Sequence, residues 1–472
     1  MENLTELPAG ALSASPVDRL APGDRESDAA VSASVESVST DPVNASDIET
    51  KSETIPREAP VVASGVAETA KGPYPAAAAT PTQSGPEGLR FDFNEGCRLL
   101  LPIRETASWR ARLRDLDTGN TLFETETKGG LIRSSKRWFV RFQIEVWSLD
   151  EGESEPRLVF SHEYDASGRD ILIQFPIGTL GDSIAWFSYA CRFGAAHPGA
   201  RVTCAMSTLL IPLFRDAYPE INFVPPEEVT SQKLNETAYA SYCLGLFFTD
   251  GACEWQPVDF RHVGLHKTAA HILGLDPLEM APRIALLDES RPIEEPYVVI
   301  AVQATSAAKM WNNPNGWREV IAFLKARGYR VVCVDQKPVH GQGLFWNHIP
   351  NGCEDMTGLS LVEAALYMRH AALFVGLSSG LSWLAWAAGC PTVTISGFSL
   401  PSTEFSTPGR VINWHTCNGC WNDPNLTFDH KDFLWCPRHA GTARQFECTR
   451  LITPAHVTRV IETIPGFAAQ AR

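Results

Sequence analysis

The chain has 472 residues, enough for two to four domains with several hydrophobic cores. Its 40 Lys and Arg against 55 Asp and Glu give a net charge of −15, which argues against a general nucleic-acid binder or a protein that coats anionic membranes. No apolar run reaches the roughly 20 residues that span a bilayer, and the N-terminus lacks the basic and apolar regions of a signal peptide. We therefore expect a cytoplasmic protein without a membrane span.

Residues 1–88 are predicted to form a disordered acidic tail. They contain 14 acidic and 5 basic side chains, a net charge of −9, and a single aromatic residue, Tyr74. Such a segment cannot bury enough apolar surface to offset the entropy of ordering it. A transit peptide is a poor alternative, because transit peptides are rich in arginine and poor in acidic residues.

A small antiparallel β-domain is predicted for residues 89–165. Its segments mix β-branched, aromatic and alternating polar residues, and turn sequences at 117–120 and 129–130 separate them. The segments are Arg110–Leu116, Ile132–Val140 and Phe142–Trp147. This region shows no catalytic group of its own, so we expect it to pack against the rest of the chain or to bind a partner.

Two Rossmann-like α/β units are predicted to follow, over residues 166–290 and 291–410. Short strands of buried type alternate with helix-like segments in both, which is typical of parallel sheets and gives the fold class α/β. The predicted strands are Ile171–Phe175, Arg201–Cys204, Ile221–Val224, Tyr242–Phe248, Tyr297–Val302, Arg330–Val334, Ala372–Val375 and Thr392–Ile395, and the predicted helices of the second unit are Gly316–Arg327, Leu361–Arg369 and Leu381–Ala388. Ligands of such sheets lie beyond the carboxyl ends of the strands, so we expect a cleft between the units.

The turn after the first of these strands is a candidate ligand-binding loop. It reads Gly-Thr-Leu-Gly-Asp-Ser over residues 178–183 and leads into a predicted helix, Asp182–Phe193. Its backbone N–H groups can therefore face an anionic ligand at the positive end of the helix dipole. Asp182 is either a helix N-cap or a cleft carboxylate that takes a proton from a hydroxyl nucleophile, and one residue can do both.

Two features of the second unit indicate a phosphate site. Lys309 follows the strand Tyr297–Val302, where its charge can pair with a diphosphate, although an isolated lysine is more often a surface residue. The turn at residues 376–383 is rich in Gly and Ser, which either let backbone amides approach a phosphate or serve only tight packing. The cleft segments contain no Asp-x-Asp pair, so we expect the chemistry to need no divalent metal.

The last four cysteines form a candidate metal site in a finger at residues 411–455, followed by a C-terminal helix or tail at 456–472. Cys417 and Cys420 form a C-x2-C pair, and Cys436 and Cys448 follow after 15 and 11 intervening residues. Four thiolates at this spacing suit Zn²⁺ or mononuclear iron, and a closed site of this kind is structural rather than catalytic. The alternative is four free cysteines in a terminal extension. Three nearby histidines could replace a ligand: His415, His430 and His439.

In this order the motifs resemble the heptosyltransferase family of GT-B glycosyltransferases, which transfer heptose from ADP-heptose. The closer resemblance, over about residues 90–455, is to the bacterial autotransporter strand-loop-strand O-heptosyltransferases, because the β-domain and the four-cysteine finger lie where that subfamily has them. The motifs that carry the resemblance are Phe91–Cys97, Arg114–Gly119, Arg141–Trp147, Ile173–Ala185, Val299–Lys309, Met356–Glu363, Phe374–Leu381 and Gly389–Val393.

The resemblance implies a role for each site. Asp182 matches the catalytic base of an inverting transfer, Lys309 matches the lysine that neutralises the ADP diphosphate, and the four cysteines match a finger that binds iron, with zinc as the alternative from spacing. The implied acceptors are serine hydroxyls of an autotransporter adhesin passenger domain, and the implied assembly is a homo-oligomer, a dodecamer in such enzymes. The implied nucleotide-sugar site consists of Thr179, Leu180, Gly181, Lys309, Gly376, Ser378, Ser379, Gly380 and Leu381.

The chain departs from the lipopolysaccharide heptosyltransferases in one motif. Their loop typically reads Asp-Thr-Gly-Leu-Thr-His, whereas Ser378 and Trp383 stand in place of that Asp and His. Two rival functions stay open on these residues: a lipopolysaccharide-type heptosyltransferase with a lipid acceptor, and a non-catalytic metal-binding scaffold. Another ADP- or UDP-sugar is also compatible with the motifs, and they do not separate the D- and L-epimers of the heptose.

Overall fold

A computed structural model of the chain describes residues 75–150, 155–176, 179–286 and 288–467. Most of the predicted tail, residues 1–74, lies outside the described residues, as do Gly178 of the ligand loop and residues 468–472 of the predicted C-terminal segment. None of the described helices combines the length and the apolar character needed to cross a bilayer.

The strands that precede residue 165 belong to two sheets. They are β1 Gln83–Ser84, β2 Arg90–Asn94, β3 Arg98–Leu101, β4 Ser108–Asp115, β5 Thr121–Thr127, β6 Gly130–Arg133, β7 Phe142–Leu149 and β8 Arg157–Glu163. Strands β4, β5, β7 and β8 form an antiparallel sheet in the order β5-β4-β7-β8, whereas β2, β3 and β6 extend the sheet of the first α/β unit. The prediction for residues 89–165 is one antiparallel domain. The division follows from burial, because β4 and β7 alternate between buried and half-buried residues while four of the five residues of β2 are buried.

The first α/β unit is built on an eight-stranded sheet. Its strands are β9 Asp170–Gln174, β10 Arg201–Ala205, β11 Asn222–Val224 and β12 Ala240–Cys243, and its helices are α1 Leu180–Ala196, α2 Ile211–Phe214, α3 Glu228–Ser231, α4 Leu234–Thr237, α5 Phe260–Val263 and α6 Leu265–Ile272. The order is β11-β10-β9-β12-β2-β3-β6, with β1 on β2. Pairing is parallel from β11 to β2 and antiparallel from β2 onward. The central strands β9 and β12 are buried almost throughout, as expected for a sheet covered on both faces.

The second α/β unit is built on a six-stranded parallel sheet. Its strands are β13 Tyr297–Ile300, β14 Arg330–Cys333, β15 Val339–Gln342, β16 Phe345–His348, β17 Glu354–Asp355, β18 Leu373–Leu377, β19 Thr392–Ile395 and β20 Gly409–Val411, and its helices are α7 Gly316–Ala326, α8 Leu361–His370, α9 Gly380–Ala387, α10 Glu447–Arg450 and α11 Pro454–Glu462. The sheet has the order β17-β14-β13-β18-β19-β20, and β15 and β16 form a separate antiparallel hairpin. Every strand and helix predicted for residues 171–395 overlaps an observed one, which confirms the α/β class.

Candidate active site

A cleft of about 1870 Å³ is lined by loops from both α/β units. These loops follow the carboxyl ends of parallel strands, which is where ligands of α/β sheets bind. They comprise residues 179–182 after β9, 245–249 after β12, 303–305 after β13, 334–336 after β14, 378–381 after β18 and 398–399 after β19. The position of the cleft is the one that the strand order predicts.

The N-termini of helices α1 and α9 meet in this cleft through two glycines. A Cβ on Gly380 would lie 2.8 Å from the Cβ of Leu180 and 3.0 Å from the backbone nitrogen of Gly181. A Cβ on Gly181 would lie 2.7 Å from the Cδ1 of Trp383, so neither position has room for a side chain. Two positive helix ends therefore lie close together beside the cleft, an arrangement that favours an anionic ligand.

Asp182 is at once a helix-capping residue and a cleft carboxylate. Its Oδ2 accepts hydrogen bonds from the backbone nitrogen of Thr179 at 2.8 Å and from the Thr179 hydroxyl at 2.9 Å. Its Oδ1 has no hydrogen-bond donor among the described residues, and the side chain lines the cleft while it is 8% exposed. Burial raises the pKa of this carboxyl above its ordinary 3.8, against the opposing effects of Lys309, the Thr179 hydrogen bonds and His430. A carboxylate whose pKa is raised is a better proton acceptor than an ordinary exposed one.

Lys309 also lines the cleft and is held in an aromatic cage. Its Nζ lies 5.2 Å from the ring centre of Phe398, 5.2 Å from that of Phe428 and 5.5 Å from that of Trp421. Burial lowers the pKa of the Lys309 amine below its ordinary 10.5, while the nearby Asp182 and Glu404 oppose that shift. The aromatic faces stabilise the ammonium form without neutralising it, so its charge remains available to an anion in the cleft.

The serine turn after β18 divides into two parts. Ser379, Gly380 and Leu381 line the cleft, whereas Ser378 also takes part in a hydrogen-bond network within the protein. The network joins the Ser378 hydroxyl to Ser399 at 2.6 Å, and both hydroxyls donate to Glu404, which also pairs with Arg410. Ser378 therefore sets the shape of the turn as well as facing the cleft.

Gly376, which the resemblance places in the nucleotide-sugar site, lies inside strand β18. It is not among the residues that line the cleft, and a Cβ there would lie 2.4 Å from the Phe374 ring. Its position indicates tight packing behind the turn.

Asp335 is a cleft residue that the motifs do not reveal. It lies two residues beyond the end of β14, is 1% exposed, and accepts hydrogen bonds from the backbone nitrogens of Val302 at 2.8 Å and Gln303 at 3.2 Å. Burial raises its pKa to about 6. The available signal was its place directly after the predicted strand Arg330–Val334, where a polar residue reaches the ligand edge of a parallel sheet.

The four cysteines of the C-terminal region lie near one another. Burial, and then the neighbouring thiols of Cys420, Cys436 and Cys417, raise the pKa of Cys448 to about 12. The Arg438 guanidinium lies 3.6 Å from the Cys417 sulfur. Among the described residues, however, no group of three or more His, Cys, Asp or Glu side chains has the geometry of a metal site. Soft donors are thus in place, whereas the predicted metal finger is not confirmed.

The segment that carries these cysteines, residues 417–448 and here called the cysteine segment, forms one wall of the cleft. It supplies Trp421 and His430 to the lining and Phe428 to the cage around Lys309. Arg261 of the first unit anchors it, donating hydrogen bonds to the carbonyls of Pro424 at 3.1 Å and Leu426 at 3.4 Å. These contacts join residues more than 160 positions apart, so no local pattern could predict them.

The cleft continues to a basic and aromatic end. Arg133 of strand β6 is exposed there, and Arg137 pairs with Glu95 at 3.4 Å and lies 4.6 Å above the Trp255 ring. Trp255 in turn stacks on Phe247 with ring centres 5.4 Å apart. The N-terminal strands therefore contribute to the cleft, although they carry no catalytic group.

Two segments of the chain match described protein families. Residues 85–150 match "Glycosyltransferase TibC, N-terminal domain", and residues 263–417 match "Glycosyltransferase family 9 (heptosyltransferase)".

Full-length relatives extend these matches. The autotransporter heptosyltransferase BAHTCr of Citrobacter rodentium is 52% identical over 387 residues, which cover 81% of this chain and 91% of that protein. The autotransporter heptosyltransferase TibC of Escherichia coli is 52% identical over 386 residues, 82% of this chain and 92% of TibC. The inactive autotransporter heptosyltransferase BimC of Burkholderia thailandensis is 45% identical over 399 residues, 82% of this chain and 88% of BimC.

Crystal structures of TibC have the same fold. One, described as a bacterial iron-containing dodecameric glycosyltransferase, has a TM-score of 0.76 at 50% identity and covers 82% of this chain and 98% of TibC. A second, in complex with ADP-D-beta-D-heptose, has a TM-score of 0.76 at 48% identity and covers 84% of this chain and 100% of TibC. The chain therefore has the GT-B-like fold of glycosyltransferases that the sequence predicts.

Proposed function

Because this chain belongs to the autotransporter heptosyltransferase family, a group of family 9 glycosyltransferases, we propose that it transfers heptose from ADP-heptose to serine hydroxyls of an autotransporter passenger domain. One observation carries the proposal: a buried carboxylate, a caged lysine and two helix N-termini share a single cleft at the carboxyl ends of parallel strands from two sheets. The family includes an inactive relative, BimC, so membership alone does not establish turnover.

In the proposed reaction Asp182 is the general base. Its Oδ1 accepts the proton of the serine hydroxyl while the serine oxygen forms a bond to the anomeric carbon of the heptose. The bond from that carbon to the phosphate oxygen breaks, and ADP leaves with the electron pair. A base positioned in this way accelerates a reaction by about 10²- to 10⁴-fold. The two hydrogen bonds from Thr179 hold the carboxyl group in its orientation.

Charge that develops on the leaving diphosphate is stabilised by Lys309 and by two helix N-termini. Lys309 provides a cation whose position is set by three aromatic rings. The N-termini of α1 and α9 add backbone N–H groups and the positive ends of their dipoles. The glycine contact between the two helices keeps these donors in place before the substrate arrives. We propose no divalent metal for this step.

The cysteine segment is proposed to hold one iron per subunit, with zinc as the alternative. The ligands would be Cys417, Cys420, Cys436 and Cys448, whose soft sulfur donors suit either metal. When bound, the metal would supply folding energy to a segment with little regular structure. This proposal rests on the closeness of the four thiols and on the contact of Arg438 with Cys417.

The proposal also covers the oligomeric state, the binding site of the acceptor and the cellular location. The TibC structure is described as dodecameric, and we propose a homo-oligomer of the same kind for this chain. The end of the cleft lined by Arg133, Arg137 and Trp255 is the proposed entry for the passenger domain, since it presents hydrogen-bond donors to a peptide. The cytoplasmic location remains a prediction from the sequence.

Intact mass spectrometry of a purified passenger fragment tests this function. The fragment is incubated with ADP-heptose and either the wild type, Asp182→Asn, or the control Asp216→Asn, which changes an exposed aspartate outside the cleft. We expect mass gains in whole heptose units with the wild type and the control, and a loss of at least about 10²-fold in rate with Asp182→Asn. Transfer only to a lipid core acceptor would support the lipopolysaccharide alternative, and no transfer to either would support the non-catalytic one.

A further inference from the structure

His430 belongs to the cysteine segment but lines the cleft, although a purely structural metal site would not need a histidine there. It belongs to the cysteine segment between Cys420 and Cys436, and it lines the cleft together with Asp182 and Lys309. Its side chain is exposed, so neither ring nitrogen is a buried polar atom without a hydrogen-bond partner. No hydrogen bond joins its imidazole to another described residue, so the ring is free to contact a ligand.

The imidazole has a fixed orientation despite its exposure. It contacts the edge of the Phe428 ring with centres 4.6 Å apart at 82°, and it lies 6.5 Å from the Phe248 ring at 82°. Phe428 belongs to the Lys309 cage, and Phe248 follows β12 of the first unit. The imidazole is therefore held by rings from both halves of the cleft.

The backbone that carries His430 is also anchored. Arg261 donates hydrogen bonds to the carbonyls of Pro424 and Leu426, and the Asn422 amide donates to the Arg261 carbonyl at 3.0 Å. Arg261 is itself 8% exposed and paired with Asp259 at 2.6 Å. These contacts fix the position of the segment, and with it the position of His430, before a substrate binds.

We propose that His430 donates a hydrogen bond to the leaving diphosphate of the nucleotide sugar and so acts as a second diphosphate-binding residue beside Lys309. The inference rests on the proposed function. As the bond between the anomeric carbon and the phosphate oxygen breaks, the electron pair passes to that oxygen, and the His430 N–H stabilises the charge without giving up its proton. The serine proton passes to Asp182, so Asp182 is the proton acceptor and His430 is only a hydrogen-bond donor.

The surroundings of His430 agree with a neutral donor. Partial burial of the imidazole and then the charge of Lys309 lower its pKa below the ordinary 6.5, while Asp182 and Asp429 oppose the shift. At neutral pH the ring then carries one N–H group and no charge. A neutral donor also avoids repulsion with the adjacent Lys309 ammonium. The cysteine segment thus has a part in the chemistry besides any metal that it holds.

Steady-state kinetics of His430→Ala and His430→Gln test the proposal, with wild type and His348→Ala as references. His348 is an exposed histidine at the end of β16 that does not line the cleft. Loss of one preorganised donor to a developing negative charge lowers kcat by about 10²-fold. We therefore expect that loss in His430→Ala, with the KM for ADP-heptose changed less than about threefold, as this donor acts mainly in the transition state. Gln retains an N–H donor, so His430→Gln should recover at least about tenfold of the lost rate.

Thermal stability and iron content are measured on the same samples, so that a structural defect is recognised. A kcat of His430→Ala equal to that of wild type would overturn the inference while leaving the proposed function intact. Equal losses in His430→Ala and His430→Gln, accompanied by lower melting temperatures or metal loss, would assign His430 a structural role and would also overturn it. If the wild type itself transfers no heptose, the proposed function is what fails.

Discussion

The two walls of the cleft are built in different ways. The wall around Asp182 consists of strand–turn–helix units, and its functional residues lie within eight positions of the end of a strand. The wall around Lys309 uses the cysteine segment, which has only short helical turns and is held by distant contacts such as Asn422 to the Arg261 carbonyl at 3.0 Å and Ser306 to the Phe433 carbonyl at 3.2 Å. The base is thus positioned by regular packing, whereas the cation is positioned by a segment that hydrogen bonds hold to residues far away in the sequence.

The largest loss of transfer activity is expected when a cysteine is removed from the wall that contains the cysteine segment. Cys448→Ser removes one of the four thiols and is expected to release the segment, to open the Lys309 cage and to lower transfer by about 10²-fold or more, because structural metal sites supply much of the folding energy of such segments. Cys253→Ser, which changes an exposed cysteine elsewhere, serves as control. Metal content and transfer rate are measured together. A metal-free Cys448→Ser protein with full activity would show that the wall folds without the cross-link.

The pH dependence of kcat/KM should reflect the ionisation of one group in each wall, Asp182 and Lys309. Asp182 must be ionised, and burial raises its pKa above 3.8, so activity increases as pH rises through that higher value. Lys309 must be protonated, and burial lowers its pKa below 10.5, so activity declines before that pH is reached. Each limb should approach a tenfold change per pH unit.

One further carboxyl could mimic the acidic limb of this profile. Asp335, whose pKa is raised to about 6, also lines the cleft. The limb should persist in Asp335→Asn, and its disappearance there would transfer the assignment of the base from Asp182 to Asp335.

A smaller effect is expected at the glycine contact. Gly380→Ala places a Cβ 2.8 Å from the Leu180 Cβ, and such overpacking costs about 1–3 kcal/mol in the free energy of unfolding. Gly251→Ala, where a Cβ meets no atom within 4 Å, should change it by less than about 0.5 kcal/mol. Urea denaturation of both variants measures the difference. Equal stability of the two would mean that the helix N-termini do not pack as described.

Deletion of residues 1–74 should have the smallest effect. The segment is acidic and poor in apolar residues, and the family matches begin after it, at residue 85. We expect transfer to a passenger fragment to stay within about twofold of the full chain. A larger change in the KM for the acceptor would show that the segment takes part in acceptor binding.

The same contrast explains how much could be predicted from the sequence. Thr179 to Asp182 and Ser379 to Leu381 lie in the cleft, and the sequence could point to them because a buried strand, a small-residue turn and a helix are local patterns. Phe398, Phe428 and His430 were not predicted for it, since their positions depend on contacts across more than 80 residues of chain. Strand β2 lies within the predicted β-domain but extends the sheet of the first α/β unit, a pairing that local patterns do not reveal because its parallel partner β12 lies about 150 residues later.

Binding of ADP-heptose to Asp182→Asn and to Lys309→Met, measured by calorimetry beside a transfer assay, tests most directly the claim that base and cation share one nucleotide-sugar cleft. Asp182→Asn is expected to bind the donor with nearly wild-type affinity but to transfer heptose at least about 10²-fold more slowly. Lys309→Met, which leaves the aromatic cage unchanged, is expected to bind the donor at least about tenfold more weakly, because it loses one charge-assisted contact. Wild-type binding and transfer by both variants would show that the two residues do not serve one nucleotide-sugar site.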